Sequence, residues 1–351
     1  MEKNKCSRNE TASPLLGSWC APGEPGGTPE RRNHAEGTTS HQPPGRHRHG
    51  DQPDRLRRVG DRRRWLAVRL GAAGGRGVGR CDPPGTGARG VNWIDTAAAY
   101  GFGHSEQVVS HALQGLTQRP YVFTKCSLLD DGTGRVRNSL KRDSILREAE
   151  ASLERLGVDA IDLYQIHWPI PEEDIEEGWT AMAELKEQGL ARHIGVSNFD
   201  ATQLRRISPI APVETIQPLY SLIDREAETE VLPFAERDGI GVIVYSPMGS
   251  GLLTGAITRE RIAAMPDNDW RKTDSRFTEP QLSRHLALAD RLRSVADRHG
   301  TSPGAVAVAW TLRNPAVTGA ITGFRRPDQV DGIVAAAGLE LTEQDLAEIE
   351  G

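Results

Sequence analysis

From residue 91 to the end, the chain alternates short apolar runs with longer segments in which apolar residues recur every three or four positions. Short runs rich in Val, Ile and Tyr and bounded by Gly, Pro or Asn predict buried strands, whereas the longer spacing predicts amphipathic helices. Seven strands are predicted, at residues 91–97, 121–126, 160–168, 191–198, 214–220, 241–246 and 317–323. Helices are predicted at residues 105–116, 141–156, 174–188, 225–237, 280–299, 303–313 and 327–337.

This alternation predicts an α/β protein in which helices cover a parallel sheet. Seven consecutive units favour a (β/α)8 TIM barrel over an open doubly wound sheet, since the latter places a glycine-rich turn directly after its first strand. The glycine-rich run at residues 71–79 has no convincing strand before it and no helix after it. An eight-stranded barrel is one strand short, so we expect its first strand and helix to be missing or degraded. The only local candidate strand, WLAVRL at residues 65–70, matches the pattern poorly.

Composition divides the chain at the same place. Residues 1–90 contain 16 Gly and 9 Pro but no Ile, Phe or Tyr, and therefore have little apolar surface to offset the entropy lost on folding. Their 15 Arg and 2 Lys against 9 acidic residues give a net charge of +8, which leaves −13 for residues 91–351 out of the total of −5. We predict a basic low-complexity segment at 1–90 and a barrel at 91–351.

Residues 1–90 allow three interpretations. The first is a disordered segment. The second is a shifted reading frame, because a GC-rich coding region translated out of frame yields such Arg-, Gly- and Pro-rich sequence. The third is a nucleic-acid-binding arm built on the arginine run at residues 55–64, but no aromatic or fold motif accompanies this run. We therefore expect no nucleic-acid partner.

Cysteine usage and hydropathy predict a cytoplasmic protein. The four cysteines, at positions 6, 20, 81 and 126, lack disulfide or metal-site spacing, and their scarcity is typical of a reducing compartment. No stretch approaches the roughly 18 apolar residues of a membrane span. The first residues also lack the apolar segment of a signal peptide. No metal site and no membrane partner are expected, and the pattern predicts no oligomeric state.

Four reactive side chains fall at or beyond the ends of three successive predicted strands. Asp95 ends the first strand and Tyr100 follows in the loop, while Lys125 and His167 end the next two. Taken singly, each has a structural explanation, as a helix cap, a packed ring or a solvated strand end. Because the carboxyl ends of barrel strands share one face, we expect the four to meet there. A lysine stabilises a neighbouring phenolate, and an aspartate compensates a buried lysine, so the set predicts a proton-donating site.

The segments WIDTAAAYG, VFTKC and YQIHWP, which carry these residues, resemble the aldo-keto reductase family, and the resemblance extends over residues 91–351. It implies a (β/α)8 barrel, NADP(H) as cofactor, and reversible reduction of a small-molecule aldehyde or ketone to an alcohol. It also implies that Tyr100 is the general acid in reduction and that Asp95, Lys125 and His167 complete a catalytic tetrad.

The resemblance further implies a cofactor site in the later segments. Ser197, Asn198 and Gln217 resemble the residues that hydrogen-bond the nicotinamide carboxamide, and Tyr245 resembles the aromatic residue that stacks on the nicotinamide ring. Backbone N–H groups of the glycine-rich loop that follows would bind the pyrophosphate, because glycines permit close approach of the chain. These are the N–H groups of Ser246, Met248, Gly249, Ser250, Gly251 and Leu252.

The segment GFRRPDQV, residues 323–330, joins a predicted strand to a predicted helix. The start of a helix favours anions, and the two arginines beside it can make charge-assisted hydrogen bonds to a phosphate. Arg325 and Arg326 therefore favour the 2′-phosphate of NADP(H), with Gly323 and Gln329 near the adenosine end. Two residues depart from the family pattern, Phe324 and Ile333, the latter where an adenine-facing Asn is common.

An apolar, aromatic rim is expected around the substrate, formed by Trp93, Tyr100, Trp168 and Met248. Two alternatives to an active reductase remain. One is a regulatory barrel that binds cofactor with little turnover. The other is a chain that does not fold, since a missing strand would leave two strand edges unpaired.

Overall fold

The computed structural model describes residues 65–69, 91–117, 119–324 and 328–351. The predictions for the rest of residues 1–90, and those for Arg325 and Arg326, lie outside this part of the chain. The strands are β1 (Trp65–Arg69), β2 (Val91–Asp95), β3 (Tyr121–Cys126), β4 (Leu128–Asp130), β5 (Val136–Asn138), β6 (Ile161–Ile166), β7 (Ala191–Ser197), β8 (Thr215–Gln217), β9 (Gly241–Tyr245) and β10 (Val317–Gly323). The helices are α1 (His104–Leu113), α2 (Arg142–Leu156), α3 (Ile175–Glu187), α4 (Ala201–Ile207), α5 (Val231–Asp238), α6 (Arg259–Ala263), α7 (Gln281–Arg298), α8 (Pro303–Leu312), α9 (Asp328–Val334) and α10 (Glu343–Glu350).

Eight parallel strands close into a barrel in the order β1-β10-β9-β8-β7-β6-β3-β2, which confirms the (β/α)8 fold class. The candidate segment at residues 65–70 supplies β1, which pairs with β10 on one side and with β2 on the other. The first strand is therefore present in shortened form rather than missing, and both of its neighbours have a partner. Its sequence signal is weak because arginines at both ends leave a run of only a few apolar residues. The helix expected after it would lie in residues 70–90, outside the described part.

Strand alternation places two layers of side chains inside the barrel. Successive residues of a strand point to opposite faces, so residues two apart share the interior face. The deeper layer is an apolar cluster of Trp93, Phe123, Leu163, Ile243 and Ile321. Two residues further along the same strands, toward their carboxyl ends, lie Asp95, Lys125, Gln165, Tyr245 and Gly323. The carboxyl-terminal layer is thus mainly polar and rests on an apolar floor.

Three elements carry little periodic signal and were not predicted. The antiparallel β4–β5 hairpin follows β3 directly and has strands of three residues each. Helix α4 has seven residues and α6 has five, both too short for two turns of amphipathic pattern. Among the helices of the described part of the chain, none is long and apolar enough to cross a membrane.

Helix α10 is held against α7 by the buried carboxylate of Asp345. Its Oδ1 accepts a hydrogen bond from Arg298 at 2.7 Å, and its Oδ2 lies 2.8 Å from His299 Nε2. Oδ2 also accepts hydrogen bonds from the backbone N–H and the hydroxyl of Thr342, at 2.9 and 2.7 Å. Burial alone would raise the pKa of Asp345, but the bonds from Arg298, His299 and Thr342 outweigh it and hold this pKa well below its usual value.

We expect Asp345→Asn to lower the free energy of unfolding by about 2 kcal/mol at pH 7, the size of a hydrogen bond to a charged group. The folded-state pKa of Asp345 lies below its unfolded-state pKa, which is about 4. The stabilisation is therefore complete above about pH 4 and is lost as the pH falls from there through the folded-state pKa. Thermal melting at pH 7 and near pH 3 measures the difference, with the exposed Glu343→Gln as control. An Asn variant as stable as the wild type at pH 7 would contradict the role of Asp345.

Candidate active site

A buried lysine–aspartate pair lies in the polar layer of the barrel. Lys125 is 1% exposed and Asp95 is fully buried. Lys125 Nζ donates hydrogen bonds to Asp95 Oδ1 and to the carbonyl oxygen of Thr96, the latter at 3.0 Å. Asp95 Oδ2 accepts a hydrogen bond from Gln217 Nε2 at 3.1 Å. Burying an isolated charge costs several kcal/mol, so this pairing is what allows both groups to remain charged inside the barrel.

Tyr100 and His167 lie next to this pair and are both half-buried. Lys125 Nζ is 5.8 Å from the centre of the Tyr100 ring. The rings of Tyr100 and His167 meet edge to face, with centroids 5.7 Å apart and planes at 81°. The structure therefore brings together all four side chains that the strand ends predicted, Asp95 included.

The loop that carries Tyr100 is tied down at its far end, where α1 begins. Thr96 Oγ1 and Ser105 Oγ are 2.8 Å apart, which joins the end of β2 to the first turn of α1. Glu106, the next residue, is fully buried and accepts a hydrogen bond from Arg155 Nε of α2 at 2.5 Å. Because both ends of the loop are anchored, the position of Tyr100 relative to β2 is well defined.

A connected set of polar groups lies beside His167. The backbone N–H of His167 donates to Cys126 O at 3.2 Å, and its carbonyl oxygen accepts from Asn198 Nδ2 at 2.9 Å. Asn198 Oδ1 accepts a hydrogen bond from the Tyr245 hydroxyl at 2.8 Å, and Asn198 Nδ2 also donates to Ser197 Oγ at 3.1 Å. Three residues predicted for the nicotinamide thus form one network adjoining the candidate catalytic residues. The fourth, Gln217, reaches the same layer through Asp95.

Gln165 is a member of the polar layer that the sequence pattern did not single out. It is fully buried, and its Oε1 accepts a hydrogen bond from Gln217 Nε2 at 3.4 Å. Its Nε2 has no hydrogen-bond partner among the described residues. Leaving a buried amide donor unsatisfied costs about 1–3 kcal/mol, which favours a ligand that offers an acceptor here. The available signal was the alternation in YQIHW, which puts Gln165 on the same strand face as His167.

The loop after β9 turns sharply. Left-handed backbone occurs at Ser246 (φ 54°), Gly249 (φ 56°), Ser250 (φ 54°) and Gly251 (φ 102°). The N–H groups of Gly249 and Gly251 donate within the loop, to Ser246 O at 2.9 Å and Met248 O at 3.1 Å, so in this conformation both are already used. The buried side chain of Leu252 anchors the turn. Left-handed backbone at residues other than glycine, here Ser246 and Ser250, is typical of functional loops. Turns of this kind also form concavities that bind anions.

The segment predicted to contact the adenosine end is described only at its two ends. Gly323 ends β10 and is exposed, and Gln329 lies half-buried on α9. Arg325 and Arg326 lie between them, outside the described residues, so their contact with a 2′-phosphate stays a prediction. Ile333 is 7% exposed and packs in the main core, which accounts for an apolar residue at this position.

The expected substrate rim needs one correction. Trp93 is 4% exposed and stacks on Phe123 in the apolar floor, with ring centroids 4.7 Å apart. The reason is strand alternation, since Trp93 lies two residues before Asp95 and hence on the same face one layer deeper. Trp168 and Met248 are half-buried, as Tyr100 is. Ile170, just beyond Trp168, is 41% exposed and belongs to the same loop.

A parallel barrel with a buried lysine–aspartate pair, a tyrosine and a histidine at adjacent strand ends defines a class of barrel oxidoreductases. A sequence model of the Aldo/keto reductase family matches residues 87–351, and the chain belongs to this family. The family consists of oxidoreductases that act on small-molecule carbonyl compounds with a nicotinamide cofactor.

Curated relatives and solved structures agree with this assignment. The aldo-keto reductase YhdN of Bacillus subtilis (strain 168) is 39% identical over 264 residues, which cover 74% of this chain and 79% of the relative. The NADH-specific methylglyoxal reductase of Escherichia coli (strain K12) is 34% identical over 271 residues, covering 73% and 81%. The structure of the glycerol dehydrogenase AKR11B4 from Gluconobacter oxydans superposes with a TM-score of 0.71 at 35% identity, covering 81% of this chain and 90% of that one.

Proposed function

We propose that the protein is a cytoplasmic reductase that uses NADPH to convert an aldehyde or ketone to an alcohol, reversibly, with Tyr100 as the proton donor. The observation that carries this proposal is the buried Lys125–Asp95 pair beside the Tyr100 ring, with His167 at the edge of the same ring. No other described cluster combines a phenol, a compensated ammonium and an imidazole at the mouth of the barrel.

The roles of these groups follow from their charges. A free tyrosine ionises near pH 10, and a neighbouring cation makes loss of its proton easier by stabilising the phenolate. Lys125 is placed to supply that cation, and Asp95 keeps it charged although it is buried. In reduction, the Tyr100 hydroxyl gives its proton to the carbonyl oxygen of the substrate; in oxidation, the phenolate takes the proton back. His167 donates a hydrogen bond to the same oxygen and so orients the carbonyl.

The residues at the barrel mouth fit a nicotinamide. When bound, this group supplies the hydride that reaches the carbonyl carbon. Ser197 and Asn198 would hold its carboxamide, and the unsatisfied Nε2 of Gln165 offers a further donor to the carboxamide oxygen. The Tyr245 ring, fixed by its hydroxyl bond to Asn198, would stack on the nicotinamide. Gln217, which donates to Asp95, would couple the carboxamide site to the charged pair.

A preference for NADPH over NADH is supported by the two arginines that precede α9. We expect the double change of Arg325 and Arg326 to Ala to lower kcat/KM for NADPH by at least about 10-fold, because each charge-assisted bond to a phosphate contributes about 1.5–3 kcal/mol. The kcat/KM for NADH, which has no 2′-phosphate, should change little. Steady-state kinetics with both cofactors measure this, with the exposed Arg284→Ala as control. A wild-type preference for NADH, as in the name of the Escherichia coli relative, would refute it.

The proposed activity is tested by following the absorbance of NADPH at about 340 nm with a panel of aldehydes and ketones, including dicarbonyls. We expect substrate-dependent loss of absorbance and recovery of the corresponding alcohol. Quenching of protein fluorescence by NADPH with no turnover on any substrate would instead support a regulatory barrel. A protein that shows no NADPH binding and no turnover would refute both proposals.

A further inference from the structure

Glu148 is a buried carboxyl group on α2 that the proposed reaction does not use. Its side chain is 6% exposed, its Oε2 accepts a hydrogen bond from Ser127 N–H at 2.9 Å, and its Oε1 accepts one from Ser144 Oγ at 3.1 Å. Burial raises the pKa of Glu148 to about 7, although these two bonds and the nearby Arg137 and Arg155 act in the opposite direction. The carboxyl group therefore changes charge in the neutral range.

Ser127, which Glu148 holds, joins two strand ends of the site. It follows Lys125 by two residues and has a left-handed backbone, φ 80°, which is uncommon for serine. Its Oγ lies 3.4 Å from both the N and the O of Trp168, the residue after His167. The backbone carbonyl oxygen of the preceding residue, Cys126, accepts a hydrogen bond from the backbone N–H of His167 at 3.2 Å. Ser127 and its neighbour Cys126 therefore connect the ends of β3 and β6 through hydrogen bonds.

We propose that Glu148 is a positioning residue whose charged form holds Ser127 in its left-handed conformation and thereby sets the position of Trp168 beside the catalytic residues. A carboxylate accepts hydrogen bonds on both oxygens, and such charge-assisted bonds are roughly twice as strong as neutral ones. When Glu148 gains a proton, one oxygen becomes a donor and its hold on Ser127 weakens. For its effect on turnover, this inference rests on the proposed reductase function.

Among the groups that surround it, Glu148 is the one whose charge changes near neutral pH. Its electrostatic neighbours are Arg137 of β5, Arg155 of α2, Cys126 of β3 and Tyr164 of β6. From α1, Glu106 reaches the cluster through its 2.5 Å bond to Arg155, and α3 contributes the uncharged Met182, whose sulfur lies 3.8 Å from the Cys126 thiol. Burial raises the pKa of Cys126 and of Tyr164 well above the neutral range, so both stay uncharged there.

The direct test needs no turnover. The fluorescence of Trp168 is obtained as the difference between each protein and its own Trp168→Phe variant, followed from about pH 5.5 to 8.5. We expect a transition near pH 7 in the wild type and in the exposed control Glu150→Gln, and its loss in Glu148→Gln. Ser127→Ala removes the hydroxyl link to Trp168 and should also abolish the transition. It serves as the second variant in case Glu148→Gln fails to fold. A transition that persists in both variants arises from a group other than Glu148 and overturns the proposal.

The catalytic consequence is tested by kcat/KM against pH for a small aliphatic aldehyde and an aromatic one. We expect the aromatic substrate to pack on Trp168, so its wild-type kcat/KM should fall by about 3- to 10-fold more than that of the small substrate as the pH drops from 8 to 6, the effect of one hydrogen bond. In Glu148→Gln the two profiles should run parallel. Parallel profiles in the wild type overturn the proposal. If no substrate turns over, the reductase function fails, while the fluorescence titration still decides the role of Glu148.

Discussion

Replacement of Tyr100 by phenylalanine is expected to lower kcat for aldehyde reduction by about 10²- to 10⁴-fold, the usual contribution of a positioned general acid. The change removes one hydroxyl group and keeps the ring that packs edge to face on His167. The fold and cofactor binding should therefore be preserved. Steady-state turnover, thermal melting and a fluorescence titration with NADPH separate these effects.

Tyr121→Phe is a matched control for this change. Tyr121 lies at the opposite end of β3 from Lys125 and is 50% exposed, so loss of its hydroxyl should leave kcat unchanged. A Tyr100→Phe enzyme that retains turnover within about threefold of the wild type would show that another group delivers the proton.

Lys125→Met is expected to reduce both activity and stability. Methionine has a similar length but no charge, so Asp95 would be left buried and uncompensated at a cost of about 3–5 kcal/mol. The variant also removes the cation that stabilises the phenolate, and kcat should fall by about 10²-fold or more. Urea or thermal unfolding measures the first effect, and turnover measures the second in whatever fraction is folded.

The double variant Asp95→Asn with Lys125→Met distinguishes the two effects. With both charges removed, most of the lost stability should return, because the cost arises from one unpaired charge. Activity should not return, because no cation lies next to Tyr100. A double variant that is as unstable as Lys125→Met would contradict the account of the pair, and one that regains activity would contradict the role of Lys125.

Much of this barrel was predictable because periodicity is a property of each segment by itself. The seven strands predicted after residue 90 are all present, since runs such as AIDLYQIHW bury both faces and stand out from their surroundings. The joint position of Asp95, Lys125 and His167 followed from topology alone, because parallel strand ends of a barrel share one face. The short β1 was harder to recognise because its pairing with β10 depends on residues about 250 positions away.

What escaped prediction depends on contacts between distant segments. The inward direction of Trp93 and Gln165 is an exception, because alternation within one strand indicates it: each lies two residues before a predicted site residue, Asp95 and His167 respectively. Glu148 reads in sequence as an ordinary acidic residue of an amphipathic helix. Its burial depends on the packing of α2 against β3, and its bond to Ser127 on a left-handed turn that no local pattern indicates.

The central claim is that the carbonyl carbon of a substrate at the barrel mouth receives a hydride from bound NADPH, while Tyr100 gives a proton to the carbonyl oxygen. It is tested most directly with NADPH carrying deuterium at both C4 positions of the nicotinamide and an aldehyde that the enzyme accepts, with the alcohol analysed by mass spectrometry. We predict one deuterium on the carbinol carbon for each NADPH oxidised by the wild type, and formation at least about 10²-fold slower with Tyr100→Phe. An alcohol without deuterium, or equal rates for the two proteins, would contradict the account.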